Sequence, residues 1–279
     1  RLIAMEKGSP YPESLAVEGC GSLQALSYYA ANQHRLLQPH RTPHLVPLFS
    51  NKKRSFHYHP LGPTLIISPW NFPFLIPMSD VISALTVGNT VVLRPSTTTP
   101  LIALLLGEVF LEAGLPAGAL NVVVCRVPQA EAMIVHPDVQ TVMFTGSVGV
   151  GKRIMELASR NLTNLTLELG GKDAMLVLWD ADLERAAAGA AWAGFGHAGQ
   201  TCGAARRIYV DERVADRFEG LLVERARRIV PGDPMDPTSQ MGAMAHATTR
   251  DTVADLVRDA IDRGGRALAG GPEPFSLPA

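Results

Sequence analysis

From Thr64 onward, short apolar runs alternate with longer segments of helical period. Thr64–Ile67, Thr90–Leu93, Leu120–Val124, Thr141–Phe144 and Thr166–Leu169 are rich in β-branched residues and leucine, which predicts strands. Between them, Pro77–Thr86, Pro100–Ala113 and Val148–Ser159 carry helical spacing, and Gly114 stops the second of these helices. Downstream the pattern predicts a strand at Lys172–Leu178 and a helix over Leu183–Phe195 with Asp182 as its N-cap. A loop over Gly196–Cys202, a strand at Arg207–Val210 and helices over Val214–Ile229 and Thr248–Arg263 follow. Upstream, residues 11–37 read as one helix whose apolar stripe includes Leu15, Leu23, Leu26, Tyr29 and Ala30. Residues 38–60 are rich in proline, histidine and basic residues, with β-like pieces at Leu45–Phe49 and Ser55–Tyr58.

Short apolar strands alternating with helices predict an α/β fold whose parallel sheet is covered on both faces. Ligands of such sheets bind beyond the carboxyl ends of the strands. Trp70-Asn71, Arg94-Pro95-Ser96 and Thr145-Gly146-Ser147 all fall just past predicted strand ends. The expected organisation is a Rossmann-like cofactor domain over residues 1–171, followed by the first part of an α/β catalytic domain over 172–279. Residues 38–60 form a projecting connection.

Composition narrows the function. With 279 residues, 47% of them hydrophobic, the chain has ample material for one large or two ordinary domains. A net charge of −1 offers no long-range field for nucleic acid or an anionic membrane. Apolar runs such as Leu101–Leu106 are far too short to span a bilayer. The three cysteines are scattered and lack metal-ligand spacing, so neither a disulfide framework nor a metal site is expected. A reducing, cytoplasmic setting is the natural expectation.

Three short runs carry chemistry. Cys202 lies in G-Q-T-C, among glycines and alanines that let a substrate approach. Glu168 lies in the apolar strand T-L-E-L just before Gly170-Gly171, where burial would raise its pKa and suit it to general base work. Asn71 stands between Pro69 and Pro73, a rigid frame for an amide that stabilises an oxyanion. A thiol nucleophile, a carboxylate base and an oxyanion donor are the groups needed to attack a carbonyl and hydrolyse the resulting thioester. Phe144-Thr145-Gly146-Ser147 turns a strand into a helix, a place for phosphate, although it is not the G-x-G-x-x-G fingerprint. Phe72, Trp192 and Phe195 suggest an apolar mouth.

P-W-N-F-P, F-T-G-S, E-L-G-G-K and G-Q-T-C in this order, with 34 residues from Glu168 to Cys202, closely resemble the aldehyde dehydrogenase superfamily. The resemblance runs from the E-K-G-S-P stretch near Glu6 to Gly270-Gly271. It implies NAD(P)-dependent oxidation of a small aldehyde to a carboxylate through a thiohemiacetal and thioester on Cys202. Asn71 and the Cys202 N–H would hold the oxyanion, and Glu168 would activate the hydrolytic water. It also implies cofactor contacts at Ile67, Ser68, Pro69, Trp70, Arg94, Ser96, Thr97, Phe144, Thr145, Gly146, Ser147, Gly151, Leu169 and Gly170. Family members are homo-oligomers and longer at both ends, so this sequence, which begins at Arg1, is expected to be a piece of a longer protein.

Arg94 stands where lysine is usual and Thr97 where a glutamate often binds ribose, an exchange that favours the 2′-phosphate of NADP. Cys125–Pro128 replaces a glycine-containing loop. Asp80 occupies the position at which many members carry a lysine that relays protons to the base. Two alternatives follow: a CoA-acylating enzyme, against which Glu168 argues, and a non-catalytic nucleotide-binding remnant.

Overall fold

The computed structural model describes residues 1–43 and 46–272. They form two compact units, one of Ala16–Leu169 and one of Arg1–Leu15 together with residues from Gly170 onward.

The chain opens with α1 (Leu2–Lys7), which ends at Gly8 in the left-handed conformation that favours glycine, and α2 (Tyr11–Glu13). A π-helical turn over Ser14–Cys20 leads into α3 (Gly21–Leu36). The expected stripe is reversed: Leu15, Leu23, Leu26 and Ala30 are exposed, whereas Ser14, Glu18 and Ser22 are buried. Glu18 explains the inversion. Its carboxylate accepts the N–H of Phe74 at 2.8 Å and that of Leu75 at 3.3 Å, donors that the start of a helix would otherwise leave free. Tyr29 stays on the inward side, packed against the sheet's core. Beyond α3, β1 (His40–Arg41) and β2 (Ser55–Phe56) pair antiparallel, with the His40 ring stacked on Phe56. Of the expected β-like pieces, Leu45 lies outside the described residues, Pro47–Phe49 is a 3-10 turn, and the second strand covers only Ser55–Phe56. Pro47 fits the first position of that turn and has no N–H for a ladder.

The sheet is the expected parallel one. Its strands are β3 (Pro63–Ile67), β4 (Thr90–Arg94), β5 (Leu120–Val122), β6 (Thr141–Gly146) and β7 (Asn164–Leu169), in the order β5-β4-β3-β6-β7. On one face α4 (Leu75–Thr86) and α5 (Pro100–Glu112) bury Ile66, Val91 and Leu93. On the other, α6 (Val127–Ile134) and α7 (Val148–Ala158) bury Leu65, Ile67, Val142 and Phe144. Each fully buried aliphatic side chain contributes roughly 1.5–3 kcal/mol. Sequence periodicity missed α6 and α1. In α6, Val127-Pro128 reads as a loop, yet proline in a first turn is a helix start. Two strand ends also run later than expected: Arg94 is the last residue of β4, and Thr145 and Gly146 lie within β6.

In the other unit, β8 (Ala174–Val177) and β9 (Arg207–Val210) pair in parallel across α8 (Leu183–Phe195), which packs on α9 (Ala215–Arg227). Asp182 caps α8 as expected, accepting the Arg185 N–H at 3.2 Å. α10 (Ala247–Asp262) follows. No helix among the described residues is long and apolar enough to cross a membrane.

Candidate active site

Parallel pairing brings the carboxyl ends of the strands into one row. Arg94 pairs with Ile67, Ile67 with Phe144, and Phe144 with Leu167. The Ser68 N–H extends the row by donating to the Arg94 carbonyl at 3.1 Å. Trp70 and Asn71 sit in the turn between β3 and α4, with Phe72 and Pro73 buried behind them. Phe72 is thus core rather than part of an apolar mouth, while Trp192 and Phe195 of the other unit are exposed. Because Glu18 binds the N–H groups of Phe74 and Leu75, the turn holding Asn71 is tied at its helix end.

Three buried polar atoms near these strand ends have no hydrogen-bond partner: Ser68 Oγ, Arg94 Nε and Thr99 Oγ1. Buried polar groups are ordinarily satisfied, so each of these three orphaned atoms stands out. Arg94 Nη2 donates to the Cys125 carbonyl at 3.0 Å, so the guanidinium is tethered to the turn after β5. Ser96 Oγ accepts the Thr98 N–H at 3.2 Å, and Thr97 is exposed.

At the end of β6 the buried Phe144 ring lies against Gly146, where any Cβ would collide with it. Ser147 caps α7, its Oγ accepting the Val150 N–H at 3.4 Å. Residues 147–150 are exposed, so the first turn of α7 opens on the surface. Gly151 allows α7 to approach β7 closely.

Glu168 differs from expectation: it is exposed. β7 is an edge strand whose alternation turns Leu165, Leu167 and Leu169 into the core beneath α6 and α7. Glu168 therefore lies on the opposite face, which the described helices of this unit leave open at this edge. The group with the raised pKa is Asp80 on α4. Burial, and then the negative charge of Glu168, push its carboxyl up to about 7. In the sequence Asp80 stands out only as a departure from a pattern; the effect of the Glu168 charge on it depends on strand and helix placement.

In the other unit, Cys202 is exposed, in a turn between α8 and β9. The segment before it is unusual. His197, Ala198 and Gly199 have φ of 50°, 52° and 72°, three left-handed residues in succession. Such backbone persists only when its surroundings hold it. Here the His197 ring is buried, and burial together with the charge of Lys7 pushes its pKa down to about 3. Gln200 bridges its surroundings, donating to the His197 carbonyl at 3.1 Å and accepting the Ala245 N–H at 2.9 Å. Arg206 Nη2 donates to the carbonyls of Gly199 at 3.0 Å and Thr201 at 3.3 Å. Lys7, Gln200 and Arg206 were not singled out from sequence, although Gln200 sits inside the G-Q-T-C run. Among the described residues no group of three or more His, Cys, Asp or Glu is placed to hold a metal ion.

Comparison with known proteins settles the family: its pattern matches residues 1–277. This chain belongs to the aldehyde dehydrogenase family. A D-glyceraldehyde dehydrogenase (NADP(+)) of Picrophilus torridus is 38% identical over 275 residues, covering 98% of this chain and 54% of the relative. A betaine aldehyde dehydrogenase of Sinorhizobium fredii is 35% identical, covering 99% of this chain and 56% of the relative. Among solved structures, PnpE in complex with nicotinamide adenine dinucleotide superposes with a TM-score of 0.92 at 35% identity, covering 99% of this chain and 56% of that one. The chain thus spans about half the length of the aldehyde dehydrogenases it matches. Of the cofactor contacts implied by sequence, those from Ile67 to Leu169 all belong to the parallel-sheet unit, whereas Gly170 belongs with Cys202.

Proposed function

We propose that the protein to which this chain belongs is an NAD(P)-dependent aldehyde dehydrogenase, and that this chain carries its nucleophile, base and oxyanion donor. The observation that carries the reading is Cys202, exposed on a loop pinned by His197, Gln200 and Arg206, in a chain of this family. Its thiolate adds to the aldehyde carbon. The Asn71 amide and the Cys202 N–H hold the oxyanion, each such donor being worth about 10²–10³ in rate. Glu168 takes a proton from the water that attacks the thioester, which releases the carboxylic acid and the Cys202 thiolate.

A dinucleotide fits the residues at the strand ends. Ser68 Oγ, Arg94 Nε and Thr99 Oγ1 offer unsatisfied polar atoms, and Gly146-Ser147 open the first turn of α7 to a phosphate. Ile67, Pro69, Trp70, Ser96, Thr97, Phe144, Thr145, Gly151, Leu169 and Gly170 complete the proposed contact set. When bound, NAD(P)+ accepts the hydride that turns the thiohemiacetal into the thioester.

In the full-length protein, Glu168→Gln should give one equivalent of NAD(P)H and then stall, with Cys202 acylated by mass spectrometry. Cys202→Ala should give no burst. Turnover retained in Cys202→Ala would overturn the reading, and release of acyl-CoA on adding CoA would reassign the acceptor.

A further inference from the structure

We infer that Arg206 is a positioning residue for the oxyanion donor: by holding the Thr201 carbonyl, its guanidinium fixes the direction in which the Cys202 N–H points. This inference deepens the assignment of Cys202 as nucleophile and rests on it.

The backbone around the thiol is a closed turn. The Ala204 N–H donates to the Thr201 carbonyl at 3.2 Å, so Thr201 and Ala204 end a β-turn in which Cys202 and Gly203 are the central residues. Arg206 Nη2 donates to the same carbonyl at 3.3 Å and to that of Gly199 at 3.0 Å. A guanidinium nitrogen of this kind carries two hydrogens, enough for both bonds. The Thr201 carbonyl thus accepts twice, from Ala204 and from Arg206, which engages both of its lone pairs. That carbonyl belongs to the peptide that carries the Cys202 N–H. The peptide is trans and planar, so the N–H points the opposite way from the carbonyl. Among the described residues no protein group accepts the Cys202 N–H, and Cys202 is exposed.

The arginine has a fixed mount. Arg206 stands just before β9, and its own N–H donates at 3.1 Å to the carbonyl of Asp173, the residue before β8. The Arg207 N–H donates to the same carbonyl at 3.2 Å, and Arg207 Nε donates to the Lys172 carbonyl at 3.0 Å. The guanidinium therefore reaches from the start of the β8–β9 pair back to the segment that holds Cys202. That segment needs an outside hold, because His197, Ala198 and Gly199 are left-handed in succession. Gln200 holds the carbonyl that begins this run, and Arg206 holds the one that ends it. When the thiolate adds, the Sγ–C bond forms and the π pair of the aldehyde C=O moves onto its oxygen. A donor already aimed at that oxygen needs no reorganisation as the charge develops. A cationic donor on the Thr201 carbonyl also polarises the shared peptide, which makes its N–H the stronger donor.

Two rates on the full-length protein separate this role from a general one in folding the loop. Aldehyde addition followed by hydride release builds an oxyanion, whereas alkylation of the same thiolate by iodoacetamide does not. At saturating aldehyde, Arg206→Met should slow the first-turnover release of NAD(P)H about ten- to hundredfold, less than loss of a whole oxyanion donor. Its alkylation rate at Cys202, followed by mass spectrometry, should stay within about twofold of wild type, since no oxyanion forms there. Arg206→Lys keeps a cationic donor without the fork and should recover part of the hydride rate. Where Arg206→Met does not fold, the same two rates in Arg206→Lys decide, with slower hydride release at unchanged alkylation expected. An unchanged hydride rate would overturn the inference. Equal slowing of hydride release and alkylation would also overturn it, by showing that the arginine only keeps the thiol within reach. Turnover retained in Cys202→Ala would instead remove the nucleophile itself, a separate result.

Discussion

Gly151 on α7 stands against Leu169 at the end of β7: a Cβ on Gly151 would lie 2.8 Å from Leu169 Cδ2. This close approach brings the helix that starts at Ser147 down onto the strand that ends beside Glu168. Glycine serves here for its missing side chain rather than for an unusual φ. Gly151→Ala should therefore lower the melting temperature slightly, because overpacking of about 1–3 kcal/mol is partly offset by the roughly 1 kcal/mol that alanine gains over glycine inside a helix. Leu169→Ala placed on top should recover part of that loss, because the contact is with a side-chain tip. Additive losses in the double variant would show that the crowding lies elsewhere.

Arg94 is held by the Cys125 carbonyl, and its Nε is buried without a partner. A fixed guanidinium at a strand end, with no acid at the exposed Thr97, suits a 2′-phosphate. Arg94→Glu combined with Thr97→Glu should weaken NADP⁺ at least about tenfold more than NAD⁺, a difference of ~1.4 kcal/mol. Dissociation constants for the two dinucleotides, measured side by side, check this; equal losses would dismiss a role in choosing between them.

The buried His197 should stay neutral at every physiological pH. Its folded pKa, about 3, lies below the ordinary value of 6.5, so below 6.5 the unfolded chain binds a proton that the folded chain refuses. The stability associated with the neutral ring is present above 6.5 and is lost as pH falls toward 3, at up to about 1.4 kcal/mol per pH unit. His197→Asn should abolish that slope while keeping the left-handed backbone, which asparagine tolerates. Denaturation midpoints at pH 8, 6.5 and 5 would reveal it; an imidazole resonance titrating near 6.5 would contradict it.

The α/β class, the strands that build the sheet, and Cys202 in a loop between helix and strand were all legible in sequence. Those features are local: periodicity, glycine and proline punctuation, and the short runs around reactive residues lie within a few positions of one another. The helix α6 escaped because Val127-Pro128 carries the same residues whether it opens a helix or a loop.

What the tertiary structure decided was which way side chains face and what stands beside them. The 11–37 segment had a plausible apolar stripe, yet Glu18 turned its polar side inward because α4, more than fifty residues later, presents N–H groups that need an acceptor. Glu168 read as an acid within an apolar strand. Only its place on the edge of the sheet leaves it exposed, and only the packing of α4 brings Asp80 into its field. Sequence determines which groups the chain owns and the periodicity they follow. Burial and charge–charge coupling arise between residues distant in the chain, so they exist only once the sheet has assembled.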